Sequence, residues 1–313
     1  MLKYNISVEV LNAHSERRFF KMKKFIALLM AAMLIVVSFA GCADTKVDEE
    51  TSTNEVATAE ETTAKLNLNV EPITGLDSLD AESDLAYVLS KGKLVVGITD
   101  YAPMDYKDKG SDEWTGFDAE FAEAFGKALG VEVEFIEIDW DNKFLELSAK
   151  DIDCIWNGMT ITDEVKLNTS CSDAYVKNAQ VVVMAADKVA DYTDVASMAD
   201  LAFAVESGSA GEAAAKDNNL TYTAVPAQSD ALMEVAAGTA DACIIDITMA
   251  NAMTGAGTSY ATLASCLELT SEEYGVAFRT GSDMTAVFNQ FMVDQKAAVL
   301  EPLADKYELT LAF

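Results

Sequence analysis

VEVEFIEIDWDNKFLELSAKDIDCI, residues 131–155, and TYTAVPAQSDALMEVAAGTADAC, residues 221–243, read alike and decide the fold. In the first, a strand over Val131 to Ile138 gives way to a loop holding Trp140 and Asp141, a helix over Phe144 to Ala149 and a strand entered through Asp153-Cys154-Ile155. In the second, a strand from Thr221 leads through Ser229 and Asp230 to a helix over Ala231 to Ala237 and then to Asp241-Ala242-Cys243. The last apolar helical residue precedes the aspartate by the same interval in both, Leu147 to Asp153 and Val235 to Asp241. Two similar α/β lobes are the simplest reading, with chance likeness between two β-α-β units as the alternative. Superposing the repeats sets Gly158 opposite Asp246, each at the C-terminal end of its strand, where open parallel sheets bind ligands.

Working outward, Leu85, Val88 and Leu89 predict a short helix ending at Gly92, and Lys93 to Ile98 (KLVVGI) reads as a buried strand. Phe121, Ala122, Phe125 and Leu129 recur at helical spacing until Gly130, with Asp118 placed to cap that helix. Strand, helix and strand in succession imply a parallel sheet. From Ala43 to about Asp80 the chain is rich in Thr, Glu, Asp and Ala without an aromatic residue, which predicts a disordered tether over 42–80.

The start of the chain speaks to location. Lys23 and Lys24 precede an uncharged apolar run from Phe25 to Phe39, and small Ala40 and Gly41 stand just before Cys42. A permanent span needs about 20 apolar residues, so this run is short for one. It resembles a bacterial lipoprotein signal, which implies removal of residues 1–41 and lipidation at Cys42. An uncleaved signal anchor is the alternative; residues 1–21 read as an upstream start or a long n-region. The expected location is the extracytoplasmic face of the cell membrane, held by lipid.

Charge and composition exclude several classes. The formal charge is −30, and because residues 1–42 hold six Lys/Arg and two Asp/Glu, the remainder carries −34. Such acidity repels nucleic acid and anionic headgroups. The single histidine, His14, precedes the cleavage point, so the mature chain has none for Ser-His-Asp or Cys-His catalysis or for a histidine-based zinc site. Cys154, Cys171, Cys243 and Cys266 show no C-x-x-C spacing, and three lie in apolar runs, so buried free thiols are expected.

Several motifs then fall in order: Gly116-Phe117-Asp118 opening a helix, GMTITDE over Gly158 to Glu164, Ser172-Asp173-Ala174-Tyr175, Ala240-Asp241-Ala242, and YGVAF over Tyr274 to Phe278. With them the chain resembles, over about Leu85 to Leu309, the extracytoplasmic solute-binding proteins of ABC transporters that bind polar amino acids. The resemblance implies a two-lobed α/β fold of the periplasmic-binding-protein kind with two hinge crossovers. Lobe 1 is then about 85–181 plus 269–313, and lobe 2 about 182–268. It further implies a monomer that performs no chemistry, needs no cofactor or metal, closes on a small polar solute and delivers it to a membrane permease.

Site residues follow from the same resemblance. Tyr101 and Trp140 match aromatic positions that pack on the ligand and stabilise a cationic group by about 0.5 to 2 kcal/mol; filling core is the alternative for each. Gly158 and Thr160 match positions that bond the ligand's amino and carboxylate groups, or else form a simple strand-to-loop turn. Asp246 is either the partner of a ligand ammonium, at about 1.5 to 3 kcal/mol, or a cap for the helix near Ile247. Asp100 is a second acidic contact or a solvated loop charge. Ser207, Ser209 and Ala210 belong to a small-residue loop at a helix start that suits a carboxylate.

One departure stands out. Where the resemblance places an arginine that clamps the ligand carboxylate, this chain has Val165, with Lys166 beside it. Either the carboxylate is held by Ser209, Thr160, loop N–H groups and a repositioned lysine such as Lys166 or Lys177, or the ligand is not a standard α-amino acid. Glu206 pushes further toward a cationic or uncharged solute, so a receptor for an amine or polyamine is a second reading. Two other classes are a dehydratase-like enzyme on the same fold, using Asp100, Glu206 or Asp246 as acid and base, and a sensor or adhesin ectodomain.

Overall fold

The computed structural model describes residues 64–76 and 79–313; the expected signal, Cys42 and residues 43–63 lie outside them. In the first lobe the expected helix α1 (Asp84–Lys91) is capped by Ser83 and closed by Gly92 in the left-handed region. It leads to β1 (Lys93–Ile98), the short pair β2 (Tyr106–Lys107) and β3 (Trp114–Thr115), helix α2 (Phe117–Leu129) and β4 (Glu132–Glu137). Helix α3 (Lys143–Ala149), β5 (Cys154–Ile155), α4 (Asp163–Asn168) and β6 (Ser170–Cys171) follow. The crossover strand β7 (Val176–Asn178) then leads out of the lobe.

The second lobe is built from β8 (Gln180–Ala185), β9 (Ala202–Glu206), α5 (Ala210–Asp217), β10 (Thr221–Val225), α6 (Gln228–Ala237), β11 (Ala242–Asp246), α7 (Ile247–Met253) and β12 (Leu263–Glu268). The chain returns through β13 (Glu272–Tyr274) to β14 (Ala277–Phe278), α8 (Met284–Asp294) and α9 (Glu301–Lys306) in the first lobe.

The two sheets repeat one plan. Strand order is β4-β1-β5-β14-β6 in the first and β10-β9-β11-β8-β12 in the second. In each, the first three strands are parallel and the next is antiparallel. The paired aspartates explain part of the likeness. Asp153 accepts the Val95 N–H of β1 at 2.8 Å, and Asp241 accepts the Ala202 N–H of β9 at 3.0 Å. Each splices the start of a central strand to its neighbour, so these residues serve the sheet rather than a ligand.

The crossovers β7 and β13 pair with each other as an antiparallel ribbon, Glu272 opposite Asn178 and Tyr274 opposite Val176. The lobe boundary therefore lies earlier than residue 181: Gln180 and Val181 already pair within the second sheet, with Asp246 and Ile245.

Two further expectations are corrected. Gly116, not Asp118, holds the N-cap position of α2; Asp118 is fully buried inside the lobe and accepts the Gly158 N–H at 2.6 Å and the Tyr175 hydroxyl at 2.8 Å. The 42–80 tether does not extend as far as residue 80. Leu68, Val70, Ile73, Leu76 and Leu79 pack against the first lobe's core, and the Ile73 N–H donates to Ala128 O at 2.9 Å. Lys65 pairs with Glu123, and Lys127 donates to Leu68 O. Helix α2 explains this strap. Its residues are buried on nearly every side, which a helix with one solvent face would not allow.

Among the described residues no helix is long and apolar enough to cross a membrane. Cys154, Cys171, Cys243 and Cys266 are free thiols.

Candidate ligand cavity

The carboxyl ends of β5, β9 and β11 converge on a cavity of about 290 Å³ between the lobes, near the lower end of the ~300 to 1,000 Å³ usual for small-molecule sites. Of the expected site residues, Trp140, Gly158, Thr160, Glu206, Ser209, Ala210 and Asp246 line it. Asp100, Tyr101 and Ser207 do not. Asp100 is exposed, and the Ser207 N–H is spent on Val225 O. The Tyr101 hydroxyl bonds Thr248 and Tyr274, so its buried ring backs the cavity wall behind Gly158. A Cβ added at Gly158, whose φ is +53°, would lie 2.6 Å from Tyr101 Cε1, so only glycine fits this turn.

From the first lobe, Asn157 is locked by Thr99 and Asp105, which fixes the turn into Gly158. The Thr160 hydroxyl is already committed, donating to Glu272 Oε2 at 2.9 Å. Val165, in the place where an arginine is expected, is 3 % exposed and packs in one cluster with Trp140 and Met159. Lys166 and Lys177 face a different groove, beside Glu272 and Glu273. The cation that lines the cavity is Lys143, on the first turn of α3.

Lys143 is 6 % exposed. Its ammonium donates to Trp140 O at 3.0 Å and, across the cleft, to Gly208 O at 2.9 Å. It lies 5.0 Å from the ring centres of both Trp140 and Phe144. Burial pushes its pKa down, opposed by Glu164, Glu206, Asp141 and Glu212 at longer range. Sequence reasoning passed over it, yet a signal existed. Lys143 stands one helical turn before Leu147, hence on the same face, and a lysine on an apolar face is rare unless it has a task there.

From the second lobe, Ser209 caps α5 by accepting the Glu212 N–H. Gly208 makes the preceding turn at φ +69°. Asp246 holds the N-cap position of α7 but makes no capping bond. Instead its oxygens accept from the side-chain amides of Asn178, Gln180 and Gln228. Asn178 and Gln180 also donate to Glu272 Oε2, so one amide pair holds two carboxylates at the hinge. Burial, with Glu272 adding to it, pushes Asp246 up to about 6. Gln228 and Glu272 were not foreseen; their partners are distant in sequence.

Glu206 is different. It is 2 % exposed, and its Oε1 has no hydrogen-bond partner among the described residues. Burial, reinforced by Asp246 and opposed by Lys143 and Thr99, pushes it up to about 8. An unpartnered buried acceptor costs about 1 to 3 kcal/mol, and a donor arriving in the cavity removes that cost.

Comparison with known proteins agrees with the fold. The arginine-binding extracellular protein ArtP of Bacillus subtilis (strain 168) is 30% identical over 230 residues, covering 69% of this chain and 86% of ArtP. Among solved structures, the ancestral amino acid-binding protein AncCDT-1, a precursor of cyclohexadienyl dehydratase, superposes with a TM-score of 0.66 at 30% identity, covering 72% of this chain and 99% of that one. The P235GK mutant of ArgBP from T. maritima gives a TM-score of 0.67 at 27% identity, covering 72% and 99%. Residues 94–309 match the family profile described as bacterial extracellular solute-binding proteins, family 3, and the chain belongs to that family.

Proposed function

We propose that this chain is the lipid-anchored receptor of an ABC importer and captures an amino acid with a cationic side chain, the arginine class, for delivery to a membrane permease. Glu206 carries the reading: a buried carboxylate oxygen without a partner, in an amino-acid-sized cavity, calls for a donor-rich cation. Asp163, Glu164 and Asp246 line the same cavity against the single ammonium of Lys143, so a ligand of net positive charge suits it best. The similarity to the arginine-binding extracellular protein ArtP supports the same reading.

The protein binds and releases without catalysis. Asp246 is held by three side-chain amides, an arrangement that suits a fixed acceptor better than a proton-transfer group. Cys42 is the anchor, and Cys42→Ser should move the protein from the membrane fraction to the soluble one or leave it unprocessed; equal membrane association of both would count against lipidation. A thermal-shift screen of the twenty amino acids, agmatine and putrescine tests the ligand class. Arginine, lysine or histidine should raise Tm by several degrees, and Glu206→Gln should erase that shift. Stabilisation by acidic amino acids alone would contradict the reading.

A further inference from the structure

We infer that Lys143 is the cation that holds the ligand's carboxylate, from α3 rather than from α4, and so sets the receptor's preference for amino acids over the corresponding amines. The inference rests on the amino-acid reading above. Among the described residues, Lys143 is the one lysine or arginine lining the cavity. Helix α4 offers the cavity no cation: Asp163, Glu164 and apolar Val165 line it, and Lys166 faces another groove.

An ammonium has three N–H donors. Two of Lys143's go to the neutral carbonyl oxygens of Trp140 and Gly208, and no carboxylate among the described residues forms a salt bridge with it. The carboxylates of Glu164, Glu206, Asp141 and Glu212 act on it only at longer range, so this buried charge has carbonyls and two aromatic rings as its direct partners and no anion in contact. A ligand carboxylate entering the cavity supplies the third acceptor as an anion in direct contact, in a charge-assisted bond roughly twice as strong as a neutral one. Glu206 Oε1 is the complementary vacancy for a donor, so the cavity offers one unmet cation and one unmet acceptor, the pair that a zwitterion brings. Because a lysine is a point charge rather than a planar fork, it fixes the carboxylate's position but not its plane.

The Lys143 bond to Gly208 O also links the lobes, and the test must separate the two roles. Calorimetric titration of the purified protein with L-arginine and agmatine, L-histidine and histamine, and L-cystine and cystamine compares each amino acid with its amine. Wild type should prefer the amino acid by at least about 100-fold in the pair it binds. Lys143→Met and Lys143→Gln should bring that ratio to within about threefold, while Lys143→Arg should keep it within about tenfold of wild type. Glutamine retains a donor for the carbonyl oxygens without the charge, so it reads the charge even where methionine unfolds the protein. If both ligands of a pair lose affinity equally and the ratio stays, Lys143 is only a latch and the inference is overturned. If wild type binds none of the three amino acids, the amino-acid reading itself has failed.

Discussion

Lys143 Nζ, rooted in the first lobe, donates to Gly208 O of the second at 2.9 Å. At the same point the lobes touch so closely that a Cβ on Gly208 would lie 2.9 Å from Asp141 Cα. The cleft is closed there by backbone contact, and glycine is required twice, for its φ of +69° and for the approach.

Gly208→Ala should therefore oppose closure rather than folding. The left-handed conformation costs roughly 1 to 2 kcal/mol with a side chain, and the clash falls between lobes rather than within one. Ligand affinity measured by calorimetry should drop about tenfold or more, with Tm of the ligand-free protein lowered by only a few degrees. A large loss of Tm with affinity intact would contradict this.

Glu206 links the site to pH. Burial raises it from its ordinary 4.5 to about 8, so the native state holds this proton more tightly than the unfolded chain does. Its contribution to stability is full below about pH 4.5 and is lost as pH rises toward 8 and beyond. Glu206→Gln should be the more stable protein at pH 9 and lose that advantage near pH 5, as read by thermal unfolding at each pH. In wild type, affinity for a cationic ligand should rise from pH 6 to pH 8 as the carboxylate ionises. A flat profile would place the cation elsewhere.

Asp246→Asn puts an amide among the amides of Asn178, Gln180 and Gln228. Breaking such a buried charged network costs several kcal/mol, of the order of 3 to 5, whereas Ser209→Ala removes one helix cap at about 1 kcal/mol. Asp246→Asn should weaken ligand binding more than any single change from Ser207 to Gly211, with a clear fall in Tm. Normal binding by Asp246→Asn would remove this residue from the site.

The strap makes a separate prediction. Val70 and Ile73 are half-buried against the first lobe, so Val70→Asp combined with Ile73→Asp should lower the chemical-denaturation midpoint. It should also increase proteolysis near residue 70. Identical midpoints would mean that the strap adds no stability.

The β-α-β repeat was legible because strand and helix periods, and the matched intervals to Asp153 and Asp241, are local signals. Gly158 and Asp246 came with it, since the carboxyl ends of parallel strands follow from topology. Lys143, Gln228 and Glu272 were not legible, because their partners are set by how two lobes and a hinge meet. The strap was hidden by its polar composition, although Leu66, Leu68 and Val70 alternate as an extended segment with one packed face would. Tyr101 went the other way: an aromatic residue in the right loop became a buried wall bonded to Tyr274.

Capture of a cationic amino acid by this cleft is read out by isothermal titration of the purified protein with L-arginine, L-lysine and L-histidine. At least one of them should show saturable one-to-one binding that is lost in Glu206→Gln. No saturable heat from any of the three, or binding that Glu206→Gln leaves unchanged, would contradict it.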